Sequence, residues 1–183
     1  METNKDFTFE VLISKDCYAA KPEHSQYELM EFQKVVVNPT TLLDYVRQGH
    51  SFCHVHKNER RLKGNFKYTN FVNIDIDDST VSMSEFLKRP IIKPTLAYTT
   101  FSNKILGYRY RLLYCFSEPI DAQTYVPLYR WICAYIGLSK TKDHCGHVTN
   151  QLMNGNSLAD IELYLSNRIY KISDFVQPGL LEL

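Results

Sequence analysis

The sequence predicts an α+β fold: a mixed or antiparallel sheet at the centre, flanked by helices. Two observations predict it. Strand-like and helix-like runs mix along the chain without the strict alternation of a parallel βαβ array. Two of the strand-like runs, Thr95–Phe101 and Arg109–Phe116, are joined by a polar turn around Asn103–Gly107, as in an antiparallel hairpin.

Taken in order, Phe7–Ile13 reads as a strand. Thr41–Gln48, with Leu42, Leu43, Tyr45 and Val46, reads as a short helix ended by Gly49. Ser51–His56 alternates enough for a strand, and the polar, basic Lys57–Lys67 reads as a loop. Asn70–Ile76 is apolar enough for a buried strand. Ser82-Met83-Ser84-Glu85 has capping-box spacing, and Pro90 stops the helix that it opens. Tyr125–Ile136 is a strongly apolar helix ended by Gly137. Pro127 is tolerated only in its first turn, which makes Thr124 the expected cap. A short strand near Val148–Met153, a helix near Leu158–Leu165 and a tail complete the reading.

The 183 residues suffice for one domain with a real core, and no repeat, low-complexity stretch or linker divides residues 1–183. Hydrophobic content of 44% and charged content of 22% are those of an ordinary globular chain. The net charge of +1 gives no global argument for nucleic acid, so any such argument rests on local patches. The five cysteines are scattered, with no CxxC pair and no signal peptide, so a reducing cytoplasm is the expected compartment. No apolar run approaches the ~20 residues of a membrane span.

The chemistry is concentrated in Phe71-Val72-Asn73-Ile74-Asp75-Ile76-Asp77-Asp78. On a strand, Asp75 and Asp77 point the same way, about 7 Å apart at Cα. Two carboxylates on one face repel unless a cation lies between them. Oxygen donors at this spacing suit Mg²⁺ or Mn²⁺ bound together with phosphates. Arg109 and Arg111, also spaced i, i+2, present two guanidinium forks that match a polyphosphate. Asp143 is an isolated acid, followed by Asn150 and Gln151. Lys57–Lys67 sets five cations, including Arg60, Arg61 and Lys63, against one carboxylate, Glu59; such a loop could track a template backbone.

Ile74-Asp75-Ile76-Asp77, Tyr98-Thr99-Thr100-Phe101-Ser102, Arg109-Tyr110-Arg111-Leu112-Leu113 and then Asp143, in this order, resemble the archaeo-eukaryotic primase superfamily. The match is best to the primase-polymerase domains of plasmids, phages and other mobile elements, and it covers roughly residues 50–155. The resemblance implies a DNA-templated nucleotidyltransferase that makes primers by two-metal phosphoryl transfer. Asp75, Asp77 and Asp143 would be the catalytic metal ligands, with Mg²⁺ or Mn²⁺ as cofactor. Arg109, Arg111, Thr99 and Ser102 would hold the nucleotide, with Asn150 and Gln151 near ribose or primer. Arg60, Arg61 and Lys63 would hold DNA. The family's second motif usually carries His; here Arg111 stands in that role and Asn103 follows Ser102. The resemblance also implies an N-terminal αβ portion of about residues 1–70, an RRM-like portion of about 71–175 and a cleft between them. The expected partners are a single-stranded DNA template, nucleoside triphosphates and a fused or separate replicative helicase; Gln177-Pro178-Gly179-Leu180 reads like the start of a linker. No membrane partner is expected.

Three other readings compete. His54-Val55-His56 is a His-hydrophobic-His triplet of the kind that holds a metal in rolling-circle nickases, with Tyr125, Tyr129 or Tyr164 as nucleophile. Cys53, His54, His56, Asp143, His144, Cys145 and His147 are dense in zinc donors but lack usual spacing. A non-catalytic nucleotide- or DNA-binding module would keep the cations and use the acids structurally.

Overall fold

The computed structural model describes residues 7–89, 92–105, 107–138 and 147–175. It contains two sheets, with helices packed against them. The first sheet is built from β1 (Phe9–Cys17), β2 (Phe32–Val37), β3 (His50–Cys53) and β8 (Leu152–Met153), in the order β2-β1-β3-β8. The second is built from β4 (Val55–His56), β5 (Phe66–Ser79), β6 (Leu96–Thr99), β7 (Tyr108–Ile120) and β9 (Leu163–Leu165), in the order β4-β5-β7-β6-β9. β10 (Ile169–Tyr170) runs parallel to β7, whereas the other paired strands are antiparallel. The α+β class with a mixed sheet therefore holds.

Strand alternation sorts the core into two clusters. Val72, Ile74, Tyr110, Leu112 and Tyr114 pack with α3 (Met83–Phe86) and α4 (Ala122–Tyr135). Phe71, Tyr98, Leu113 and Cys115 face the first sheet and α2 (Pro39–Arg47). Asp75 and Arg111 continue this second face by the same period of two.

α4 buries Tyr125, Leu128, Tyr129, Ile132 and Cys133, one stripe at helical spacing. Each fully buried large side chain there contributes roughly 1.5–3 kcal/mol. α4 starts earlier than its sequence predicts. Asp121, not Thr124, is the cap, accepting from the Thr124 amide at 2.8 Å. Pro127 consequently lies beyond the first turn and removes one helical bond, the one an amide at position 127 would donate to the Gln123 carbonyl; the buried stripe offsets the loss. α3 begins as expected, with Ser82 accepting from the Glu85 amide.

Two other expectations are corrected, and two elements are added. Leu158–Leu165 is not a helix: Leu163–Leu165 pairs with the open edge of β6, and tertiary pairing overrides its helix-like spacing. The strand near Val148–Met153 shrinks to Leu152–Met153. α1 (His24–Leu29) and β2 went unpredicted. Among the described residues no helix is long and apolar enough to cross a membrane.

Register shapes the acidic end of β5. Ile76 pairs with Tyr110 and Ser79 with Tyr108, so Asp77 and Asp78 together oppose the single residue Arg109. This is a β-bulge, and Asp78 takes the left-handed conformation (φ 52°) at its turn. Across from it, Gly107 has φ +141°, and a Cβ there would stand 3.1 Å from the Asp78 backbone. Gly107→Ala is expected to cost ~1–3 kcal/mol, the usual range for a backbone forced into a sparsely populated region. A urea unfolding midpoint unchanged from wild type would contradict this account of the bulge.

Candidate active site

The central strand pair brings acids and arginines together. Asp75 and Arg111 are direct cross-strand partners in the β5–β7 ladder. Their side chains are ion-paired through Arg111 Nε and Asp75 Oδ1, and only 11% and 9% of the aspartate and arginine side chains are exposed. Arg111 Nη1 donates to the Tyr98 hydroxyl at 2.9 Å and to the Asn154 carbonyl at 3.4 Å, and the guanidinium lies 5.7 Å from the Tyr98 ring centre. Burial works against the charge on Arg111, but Asp75 and Tyr98 outweigh it and hold the guanidinium more firmly protonated than in water. Burial also pushes the Tyr98 hydroxyl up to about 12, so it stays neutral and donates to the Asn154 carbonyl at 3.0 Å. The second oxygen of Asp75 accepts from Gln151 Nε2 at 3.1 Å.

The bulge makes a more open arrangement next door. Arg109 donates to Asp78 Oδ1 from Nε at 3.0 Å and from Nη2 at 2.5 Å, and its Nε stands 3.9 Å from Asp77. Asp77 is 44% exposed. Partial burial, then the charge of Asp75, raises its carboxyl above the ordinary 3.8, against the opposing pull of Arg109 and Arg111. Burial and the neighbouring Asp75 charge thus both disfavour the ionised form of Asp77.

The remaining candidates divide. Thr99 is 2% exposed, its hydroxyl accepts from the Glu162 amide at 3.0 Å and its carbonyl from Asn156 Nδ2 at 2.8 Å, so it braces β6 against the following loop. Ser102 is half-buried in the turn after β6. Arg61 Nη1 donates to the Asn150 carbonyl at 3.0 Å, which ties the basic loop to the segment that also delivers Gln151. Arg60 and Lys63 are exposed on that loop. Asp143, with His144 and Cys145, lies outside the described residues. Among the described residues no group of three or more His, Cys, Asp or Glu side chains is arranged to hold a metal ion.

Two site neighbours, Tyr98 and Asn154, were not foreseen. Asn154 accepts from Ser51 Oγ at 3.0 Å and donates to the Tyr27 hydroxyl at 2.9 Å, linking the first sheet to Arg111. Gly155 permits this seat, since a Cβ there would meet the His50 and Val46 carbonyls at 2.5 and 2.6 Å.

Both members of the histidine pair are buried. His54 is fully buried, stacked on Phe71 at 5.0 Å and edge-on to Tyr125 at 5.0 Å. Tyr125, one candidate nucleophile, is also fully buried and donates to Asn73 Oδ1 at 3.0 Å. Burial lowers the His54 pKa to about 3, from an ordinary 6.5. The sign follows: below pH 6.5 the unfolded chain takes up a proton that folded His54 refuses, so stability falls as pH drops from 6.5 toward 3. At 1.36 kcal/mol per pH unit, the loss between pH 6.5 and 5 is about 2 kcal/mol. Urea unfolding at pH 7 and pH 5 is expected to show this loss in wild type and a smaller one in His54→Phe; equal losses would contradict it.

No family model and no curated protein sequence matches the chain. Among solved structures, the chain is similar to the AEP domain of the cyanophage S-2L primase-polymerase (PrimPol). The similarity spans 91% of this chain and 86% of that one, with a TM-score of 0.52 and 12% sequence identity. What the two chains share at that identity is a fold, and the fold of this chain is AEP-like.

Proposed function

We propose that the chain is a DNA-templated nucleotidyltransferase of the primase-polymerase type. One observation carries the reading: in an AEP-like fold, the central strand holds two carboxylates, Asp75 and Asp77, beside the half-buried guanidinium of Arg109. In this reading residues of about 71–175 form an RRM-type half, and the cleft lies between it and the N-terminal portion.

The residues fit a divalent cation. Asp75 and Asp77 are hard oxygen donors on one strand; burial and then the Asp75 charge raise the Asp77 carboxyl, and a cation would offset both. Asp75, Asp77 and, by the resemblance, Asp143 would hold Mg²⁺ or Mn²⁺; substrate phosphates and water complete such sites. Bound there, the metal supplies Lewis-acid activation of a 3′-hydroxyl and neutralises charge on the leaving pyrophosphate.

The chain's own groups do the rest. Arg109 exchanges Asp78 for the triphosphate of the incoming nucleotide, its planar fork matching two phosphate oxygens. Arg60, Arg61 and Lys63 would hold the single-stranded template through its backbone, and Ser102 and Asn150 would contact sugar and primer. Arg111 is buried, with Nε on Asp75 and Nη1 on Tyr98 and Asn154, so the nucleotide is assigned to Arg109 rather than to Arg111.

The test is incorporation of labelled nucleoside triphosphate on single-stranded DNA with Mn²⁺ or Mg²⁺. Metal-dependent extension is the expected result. A covalent protein–DNA adduct on a stem-loop would overturn the reading in favour of a nickase. Binding without turnover would overturn it in favour of a non-catalytic module.

A further inference from the structure

We infer that Arg111 and Gln151 are positioning residues that hold the Asp75 carboxylate at a fixed angle for metal ligation. The inference rests on the nucleotidyltransferase reading and deepens it, because it removes both residues from the nucleotide-contact set.

The geometry carries it. A carboxylate has about four lone-pair sites over its two oxygens. At Asp75 one site on each oxygen is used: Oδ1 by Arg111 Nε and Oδ2 by Gln151 Nε2. Two donors on opposite oxygens fix the plane of the group and leave the remaining lone pairs for a cation. Arg111 is itself fixed by the Tyr98 hydroxyl and the Asn154 carbonyl. Asn154 in turn is held by Ser51 of the first sheet and by Tyr27 of α1. The carboxylate is therefore anchored from both sheets, whereas Asp77 is exposed and, among the described residues, has only Arg109 Nε as an ion-pair partner, at 3.9 Å. Donors that orient a metal-ligating carboxylate typically change metal affinity by 10–100-fold when removed, although they never touch the metal.

The experiment is Mn²⁺ titration by calorimetry, without nucleotide, on the full chain as wild type, Asp77→Asn, Gln151→Ala and Arg111→Lys. Gln151 is half-buried at the surface end of the network, so Gln151→Ala is the variant that keeps the fold. It is expected to bind Mn²⁺ about tenfold more weakly, while its nucleotide KM at saturating Mn²⁺ stays at the wild-type value and kcat falls. Arg111→Lys retains charge but loses the fork, and where it folds it is expected to behave the same way. Wild-type Mn²⁺ affinity in Gln151→Ala, or a raised nucleotide KM with metal affinity unchanged, overturns the positioning role. Absence of Mn²⁺ binding by wild type, or undiminished binding by Asp77→Asn, overturns the underlying functional reading instead.

Discussion

Replacing Asp77 by alanine is expected to lower nucleotide incorporation by roughly a thousandfold, the equivalent of several kcal/mol of transition-state stabilisation at 1.36 kcal/mol per decade. The fold should survive. Asp77 is 44% exposed, and its ion pair with Arg109 stands at 3.9 Å, an arrangement worth little in water. The companion variant Asp77→Asn sharpens the test. Because folding raises the Asp77 carboxyl above 3.8, the folded chain binds a proton more tightly than the unfolded one. The resulting penalty is absent below pH 3.8 and grows as pH rises through the folded value. Without added metal, Asp77→Asn should match wild type in Tm at low pH and equal or exceed it at neutral pH, while being inactive. A variant that incorporates at the wild-type rate would remove Asp77 from the proposed machinery, and an unfolded one would contradict the expected survival of the fold.

Asp75→Ala is expected to fail differently. It strands the guanidinium of Arg111 in a site where only 9% of its side chain meets water. Removing one partner of a buried pair typically costs 3–5 kcal/mol, against a total domain stability of about 5–15 kcal/mol. Inactivity of Asp75→Ala thus mixes lost chemistry with lost fold, and Asp77 is the cleaner probe. The paired variant Asp75→Leu with Arg111→Met removes both charges and should recover part of the stability, since replacing a buried pair by apolar groups is often neutral or better. Denaturant unfolding separates these cases. Asp75→Ala as stable as wild type would show that the pair contributes nothing to the fold.

The strands that carry the site were legible because their side chains alternate against apolar neighbours. Val72, Ile74, Leu112 and Tyr114 fill one face, and β5 and β7 emerged only longer than expected. α4 was legible as a stripe, but its start was not. Asp121 and Thr124 are both competent caps, and the buried face rather than Pro127 decided between them. β9 could not be read, because pairing with the edge of β6 is a long-range contact that short-range spacing does not encode.

The site was legible in its membership more than in its wiring. Spacing placed Asp75 with Asp77 and Arg109 with Arg111, each pair on one side of its strand. It could not give the register, which sets Asp75 against Arg111 and turns a presumed phosphate ligand into a buried partner. Nor could it give the bulge that puts Asp77 and Asp78 opposite Arg109. Asn154 carried no signal at all: a lone asparagine in a loop acquires meaning only when Tyr27, Ser51 and Arg111 converge on it.

The most direct test is anomalous diffraction from crystals grown with Mn²⁺ and a non-hydrolysable nucleoside triphosphate. The account predicts an anomalous peak at the Asp75 and Asp77 carboxylates, with the triphosphate beside Arg109. A peak held instead by His54 and His56, or nucleotide bound with no manganese at the carboxylates, would contradict it.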